Sequence, residues 1–207
     1  MNKIHHSLAD WTFDPDGNFY IDNSQYVSPP TSLACPHTGG GSVGAWFFLK
    51  PALGANIPEG ILATYERYLY TTPREVKFFF RSQALPINSR PANTYLFSLL
   101  RTTCSLQQWV DNVGINLKIE DLSYTRTSNT WFHHRLTFYT WLNVSLRTVL
   151  TVIFETEIGG SWVQQLTHDI IDPLWQGSPT NRVGFAVHGS LLIFRHWVDD
   201  TEVWRKT

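Results

Sequence analysis

Two glutamates set two residues apart, Glu155 and Glu157, are the residues of this chain whose type and spacing most directly suggest chemistry. In an extended strand, residues i and i+2 point the same way, with Cα atoms about 6.5–7 Å apart. Glycosidases work with carboxyls about 5–5.5 Å apart when they retain configuration and about 6.5–9.5 Å apart when they invert it. The segment before this pair, WFHHRLTFYTW at 131–141, splits cleanly by alternation. Phe132, Leu136 and Phe138 fall on one face, the expected core side. Trp131, His133, Arg135, Tyr139 and Trp141 fall on the other. Flat aromatic rings stack on sugar rings, and a guanidinium binds hydroxyls or a carboxylate as a fork. That face is therefore the candidate ligand-binding surface, and Arg81, on the face of segment 76–81 shared with Lys77 and Phe79, joins it. The competing readings are structural. The glutamates can pair with Arg135 or Arg81 across strands, and the aromatic face can be covered by loops or a second subunit.

Metal chemistry has one candidate. Asp14-Pro15-Asp16-Gly17-Asn18 alternates acids ahead of a glycine, as calcium loops do, although Gln25 stands where an EF-hand would carry its twelfth-position glutamate. A plain turn is the competing reading. The eight histidines show no zinc spacing, because His133 and His134 must point to opposite faces. No phosphate loop, nucleophile elbow or dinucleotide fingerprint is present. No cofactor is expected apart from calcium at Asp14, Asp16 and Asp199.

These residues need strands to position them, and period-two patterning runs through the chain. Segments 62–70, 76–81, 95–100, 113–119, 131–141 and 148–158 alternate and are rich in β-branched and aromatic residues. Gly, Pro, Asp and Ser clusters separate them. About a dozen strands are expected, with room for single helical turns at 51–60 and 170–175. A chain of 207 residues, 43% hydrophobic and without repeat or linker, suits one domain over 1–207. Charged residues make up only 16% and the net charge is −1, so no basic field exists to hold a phosphate backbone, and nucleic acid is excluded as a partner. No apolar run is long enough to span a bilayer, and no membrane partner is expected. No secretory signal is visible at the N-terminus, so manufacture in the cytoplasm is expected. Cys35 and Cys104 are expected as buried free thiols, with a disulfide as the alternative.

Several stretches together resemble the concanavalin A-like lectin/glucanase superfamily and its laminin-G-like jelly rolls. YVSPPTSLAC at 26–35 resembles an early polar turn leading into a strand, and WFHHRL at 131–136 resembles a strand opening with Trp-x-His. VGFAVHGSLLIFRHWVDDTEVW at 183–204 resembles the closing strands with their acidic pair. The resemblance implies an all-β, two-sheet antiparallel jelly-roll sandwich. It implies a closing strand at 195–203 lying beside a first strand at 11–13, and a calcium site shared between early loops and Asp199 or Asp200. Catalytic relatives carry more than this chain offers. Gly160 stands where laminarinase-like members place a third acid, and Arg81-Ser82-Gln83 is a poor version of the alginate-lyase arginine strand. The expectation is a non-catalytic binding or structural module: a component of a virus or phage particle surface, or a glycan-binding domain. The alternative is a polysaccharide hydrolase or lyase using the polar sheet face. Nine tryptophans, several on outward faces, favour a protein partner or homo-oligomer, with a glycan as the other occupant.

Overall fold

In the computed structural model the described residues are 1–3, 10–13, 20–27, 32–38, 43–50, 56–69, 75–84, 93–175, 177–189 and 193–206. They form fifteen strands and no α-helix. Alternation of β-branched and aromatic residues with polar ones puts one side of each strand against the core and the other outward. Sheet A holds β1 (Asn2–Lys3), β3 (Tyr20–Asp22), β4 (Ser32–Thr38), β6 (Gly60–Leu69), β11 (Phe132–Leu142), β12 (Thr148–Ile158), β13 (Ser161–Ile171) and β15 (Ile193–Arg205). Its order is β13-β12-β11-β6-β15-β4-β3, with β1 pairing the end of β15. Sheet B holds β2 (Trp11–Phe13), β5 (Val43–Leu49), β7 (Glu75–Ser82), β8 (Thr94–Leu99), β9 (Thr103–Val110), β10 (Val113–Asp121) and β14 (Arg182–Gly189), in the order β10-β9-β8-β7-β14-β5-β2. Every ladder between these strands is antiparallel, and the two sheets pack as a jelly-roll sandwich.

Aromatic rings join the sheets. Phe97 of sheet B stacks on Phe154 of sheet A at 4.1 Å between centroids, Phe80 meets Phe138 at 5.0 Å, and Phe78 meets Phe154 edge-on at 5.8 Å. Each buried ring contributes on the order of 1.5–3 kcal/mol through the water it excludes. Trp46, Phe48, Phe79, Leu96 and Ala186 form a second buried cluster on the other side of sheet B. The chain thus has two apolar layers, and this second one absorbs Phe79, which alternation had placed on an exposed face.

One end of the core is polar. Arg126, from the segment joining β10 to β11, is fully buried. Its Nε donates to Glu66 Oε1 at 2.7 Å, and its Nη1 donates to the Leu100 and Leu99 carbonyls at 3.0 and 3.3 Å. It therefore ties β6 of sheet A to the end of β8 in sheet B. His134, also fully buried, places Nε2 3.3 Å from Glu66 Oε1 and Nδ1 3.0 Å from Thr156 Oγ1, and Thr156 in turn meets the Tyr124 hydroxyl at 3.0 Å.

Four expectations are corrected. The segment at 11–13 does not lie beside the closing strand. It pairs β5 in sheet B, and β15 closes against Asn2–Lys3 instead. The closing strand expected at 195–203 runs further at both ends, as β15 (Ile193–Arg205), with a register irregularity between Asp199 and Glu202. Residues 170–171 continue β13, so no helical turn forms there. Arg81 is not an exposed ligand residue. The register slips between Arg182 and Gly184, Arg81 takes a left-handed φ of 51°, and its side chain turns inward until 1% remains exposed. Its Nε donates to the Pro58 carbonyl at 3.0 Å, and burial holds its pKa below the usual value against the opposing pull of Tyr95 and Glu59. Cys35 and Cys104 are free, buried and in different sheets, and burial pushes the Cys104 thiol up to about 12.

Candidate ligand-binding face

The outer face of sheet A carries the residues that alternation placed on one side of β11. Leu136 and Phe138 are buried in the core, while His133, Arg135 and Tyr139 are half-buried on the opposite side and Trp141 is exposed. The register puts Glu155 directly across from Arg135. Arg135 grips it as a fork, Nε to Oε2 at 2.5 Å and Nη2 to Oε1 at 3.0 Å. Two residues along, His133 Nδ1 sits 2.8 Å from Glu157 Oε2. Both glutamates do share a face, and each is already held by a cation or an imidazole of the neighbouring strand.

Residues from four further strands, unmarked in the sequence reading, complete the site. Trp162 of β13 lies under the Arg135 guanidinium, 4.2 Å from centroid to Cζ, and beside His133 at 4.6 Å. Tyr65 of β6 stacks on the other side of His133 at 3.9 Å and 13°. Across Ala63, which pairs with both Arg135 and Glu202, stands β15. There Trp204 donates its indole N–H to Glu202 Oε2 at 3.0 Å, and Lys3 of β1 pairs with Glu202 and covers the Trp204 ring. The small side chain at Ala63 leaves a groove of about 350 Å³ between Trp162 and Trp204, floored by Ile61 and Ala63 and edged by Arg135, His133, Glu202 and Met1. No local signal in the sequence shows that Trp162 and Trp204 face each other, because only the strand order brings β13, β6 and β15 to one patch.

The remaining candidates are dispersed. Trp131 precedes β11, with Arg67 over its ring at 6.0 Å. Tyr139 and Trp141 lie farther along the same face, Trp141 about 20 Å from Arg135 at the rise of a strand. Trp141 donates its indole N–H to Thr151 Oγ1 at 2.9 Å. Arg81 belongs to sheet B. Asp14 and Asp16 lie outside the described residues. Asp199 is buried, and its Oδ2 accepts the Val27 N–H at 2.5 Å. Among the described residues no group of three or more His, Cys, Asp or Glu side chains is placed to hold a metal ion.

Sheet B has a polar chain of its own on the side away from the core. Glu75 takes Lys77 at 3.1 Å and also holds Ser98, while Trp109 Nε1 donates to Gln107 Oε1 at 2.9 Å and Gln107 Nε2 to Ser105 Oγ at 3.3 Å. Trp109 lies over Gly114 of the edge strand, where a Cβ would come within 2.5 Å of the indole. Period-two spacing of Ser105, Gln107 and Trp109 was the signal available for this row.

Strand order, sheet pairing and an outward groove together define a concanavalin A-like jelly-roll sandwich. No family model and no curated protein matches the chain. Solved structures do. The chain is similar to the exoplasmic/lumenal domain of VIP36 in its Ca2+/Man3GlcNAc-bound form, with TM-score 0.64, 11% identity, and 96% of this chain and 87% of that one covered. It is similar to a legume lectin-like domain from Entamoeba histolytica (TM-score 0.63, 10% identity, 97% and 91% covered). It is also similar to the PL-14 alginate lyase from Aplysia kurodai (TM-score 0.62, 10% identity, 94% and 89% covered). At these identities the likeness establishes the fold.

Proposed function

We propose that this chain is a non-catalytic glycan-binding module whose ligand sits in the sheet A groove. The observation that carries this reading is the pair of indoles, Trp162 and Trp204, flanking a groove edged by Arg135 and Glu202 and opened by Ala63. Aromatic faces supply stacking area for a sugar ring, and the paired charges at the rim supply donors and acceptors fixed in place before the ligand arrives. The fold's solved neighbours include the VIP36 exoplasmic/lumenal domain in its Ca2+/Man3GlcNAc-bound form, which supports the reading. The hydrolase alternative has less behind it. A glycosidase needs one carboxyl to carry a proton to the leaving oxygen, whereas Glu155 holds a guanidinium with both of its oxygens and Glu157 is paired with His133. The particle-surface role expected from the sequence draws no support from the lectin and lyase structures the chain resembles.

A glycan array read with the wild-type chain tests the proposal. Trp162→Ala is expected to weaken the best-bound glycan roughly thirty-fold, equivalent to about 2 kcal/mol. Ala63→Leu, which fills the groove without touching its polar groups, is expected to weaken it at least as much, both variants retaining a cooperative melt. Binding unchanged in both variants, or release of reducing ends from the bound glycan, would overturn the proposal.

A further inference from the structure

The hairpin between β11 and β12 projects from the sandwich with an apolar tip. Leu142 is 63% exposed, Val144 fully exposed and Leu146 80% exposed, and Trp141 stands at their base. Single exposed aliphatic residues are ordinary on a protein surface. Three at alternate positions of one turn, where Gly, Asn and Ser usually stand, are a departure.

The turn is also built to hold them out. Asn143 N–H donates to the Arg147 carbonyl at 3.0 Å, and Leu146 N–H to the Asn143 carbonyl at 2.8 Å. The Asn143 side-chain oxygen accepts the N–H groups of Ser145 at 2.9 Å and Arg147 at 3.0 Å. Leu146 is fixed in the left-handed region at φ 58°, which a leucine rarely adopts. Four backbone donors of the turn are therefore satisfied inside it. That is the condition for moving backbone out of water into an apolar phase. A protein partner recognising the turn through its main chain would find those groups already spent.

Charge points the same way. Residues 141–146 carry none, and the first charges below the tip, Arg147 and Asp172, neutralise each other at 2.5 Å. Trp141 keeps its N–H on Thr151 and exposes its apolar edge, the division of labour that places indoles at the level of lipid headgroups. Ile171, half exposed beside Val149, widens the apolar collar.

We propose that this hairpin is a membrane-docking finger. Leu142, Val144 and Leu146 enter the upper acyl region of a bilayer, Trp141 sits at the headgroups, and the Arg147–Asp172 pair marks the depth limit. Docking at the surface needs no spanning segment, so the sequence expectation of no membrane partner is revised in this respect alone. The groove lies roughly 24 Å back along β11 from the tip, so a lipid-docked module keeps it free.

The test is flotation of the full chain with phosphatidylcholine vesicles that contain no glycolipid, which separates this proposal from the glycan reading. The wild type is expected to float, and to do so equally at low and high salt, because apolar insertion is not screened. Leu146→Asn suits the left-handed conformation and should keep the melting temperature, yet lower vesicle partitioning at least five-fold. Val144→Ser should act likewise, and Trp162→Ala should have no effect. A wild type that does not float, or variants that float undiminished, would overturn the proposal. Light scattering that finds a dimer abolished by Leu146→Asn, without vesicle binding, would overturn it in favour of a second copy as the occupant.

Discussion

Glu66 holds both Arg126 and His134 while fully buried, and that makes it the most consequential single residue in the core. Its Oε1 accepts the Arg126 Nε–H and faces His134 Nε2. Removing one member of a buried ion pair leaves the other uncompensated, which typically costs about 3–5 kcal/mol. Arg126→Met is therefore expected to lower the unfolding free energy by that amount in urea titrations, far more than loss of the exposed Arg147–Asp172 pair. His134 adds a pH dependence. Burial pulls its pKa below 6.5 and outweighs Glu66, which pulls it up. The folded chain therefore holds the imidazole neutral, while the unfolded chain protonates it below about pH 6.5. The unfolded state then binds more protons, so stability present at neutral pH is lost as the pH falls through that value. His168, lowered by burial and by Lys118, acts in the same direction. Calorimetry from pH 7.5 to about 5 should show a falling melting temperature, and His134→Asn should flatten the fall. At this scale the sequence was readable where alternation decides. His133 and Arg135 face outward and Leu136 and Phe138 inward, as the pattern of β11 requires. Arg126 was not readable: it sits in SYTRTSN, whose composition is that of a solvated loop, and only the approach of β6 and β8 turns it inward. Arg81 was misread because a register slip, which leaves no local signature, reverses its side.

Among the elements, β6 and β15 show why a small residue is required at one particular place. A Cβ on Gly60 would lie 2.2 Å from the Trp204 carbonyl oxygen, which is backbone and has no easy retreat. Gly60→Ala should push β15 away from β6 and destabilise the chain by about 2 kcal/mol or more. Because Trp204 is a wall of the groove, the same variant should weaken the best-bound glycan more than an equally destabilising change in sheet B. Strand existence was legible because six alternating segments each matched an observed strand, and segment 148–158 matched to the residue. Partnership was not. Trp11–Phe13 is three residues long and carries no mark of which sheet it joins, and the pairing of β15 with Asn2–Lys3 depends on a strand too short for any pattern.

For the molecule as a whole, fold class was the most legible property, since six period-two segments separated by turn clusters admit little besides packed sheets. The groove was the least legible, being assembled from β1, β6, β11, β13 and β15, whose proximity exists only in the finished sandwich. That assembly makes the C-terminal strand indispensable. A chain stopped at Gly189 lacks β15 and the buried Val198 and Val203. It should show no cooperative thermal transition by circular dichroism, and a soluble truncated chain that melts sharply would contradict the strand order.

The position of the last two strands also governs how the molecule is made. β15 lies between β4 and β6, and β14 lies between β5 and β7, so each sheet receives a central strand only at the end. A ribosome needs about ten to forty seconds for a chain of this length. From the emergence of β6 and β7 until that of β14 and β15, β4 and β6 present open edges in one half-sheet and β5 and β7 in the other, each lacking the strand that lies between them. The sandwich can then close only once β15 has emerged. The nascent chain is exposed to edge-to-edge association, and its yield in a cell depends on whatever shields those four edges until residue 205 has emerged.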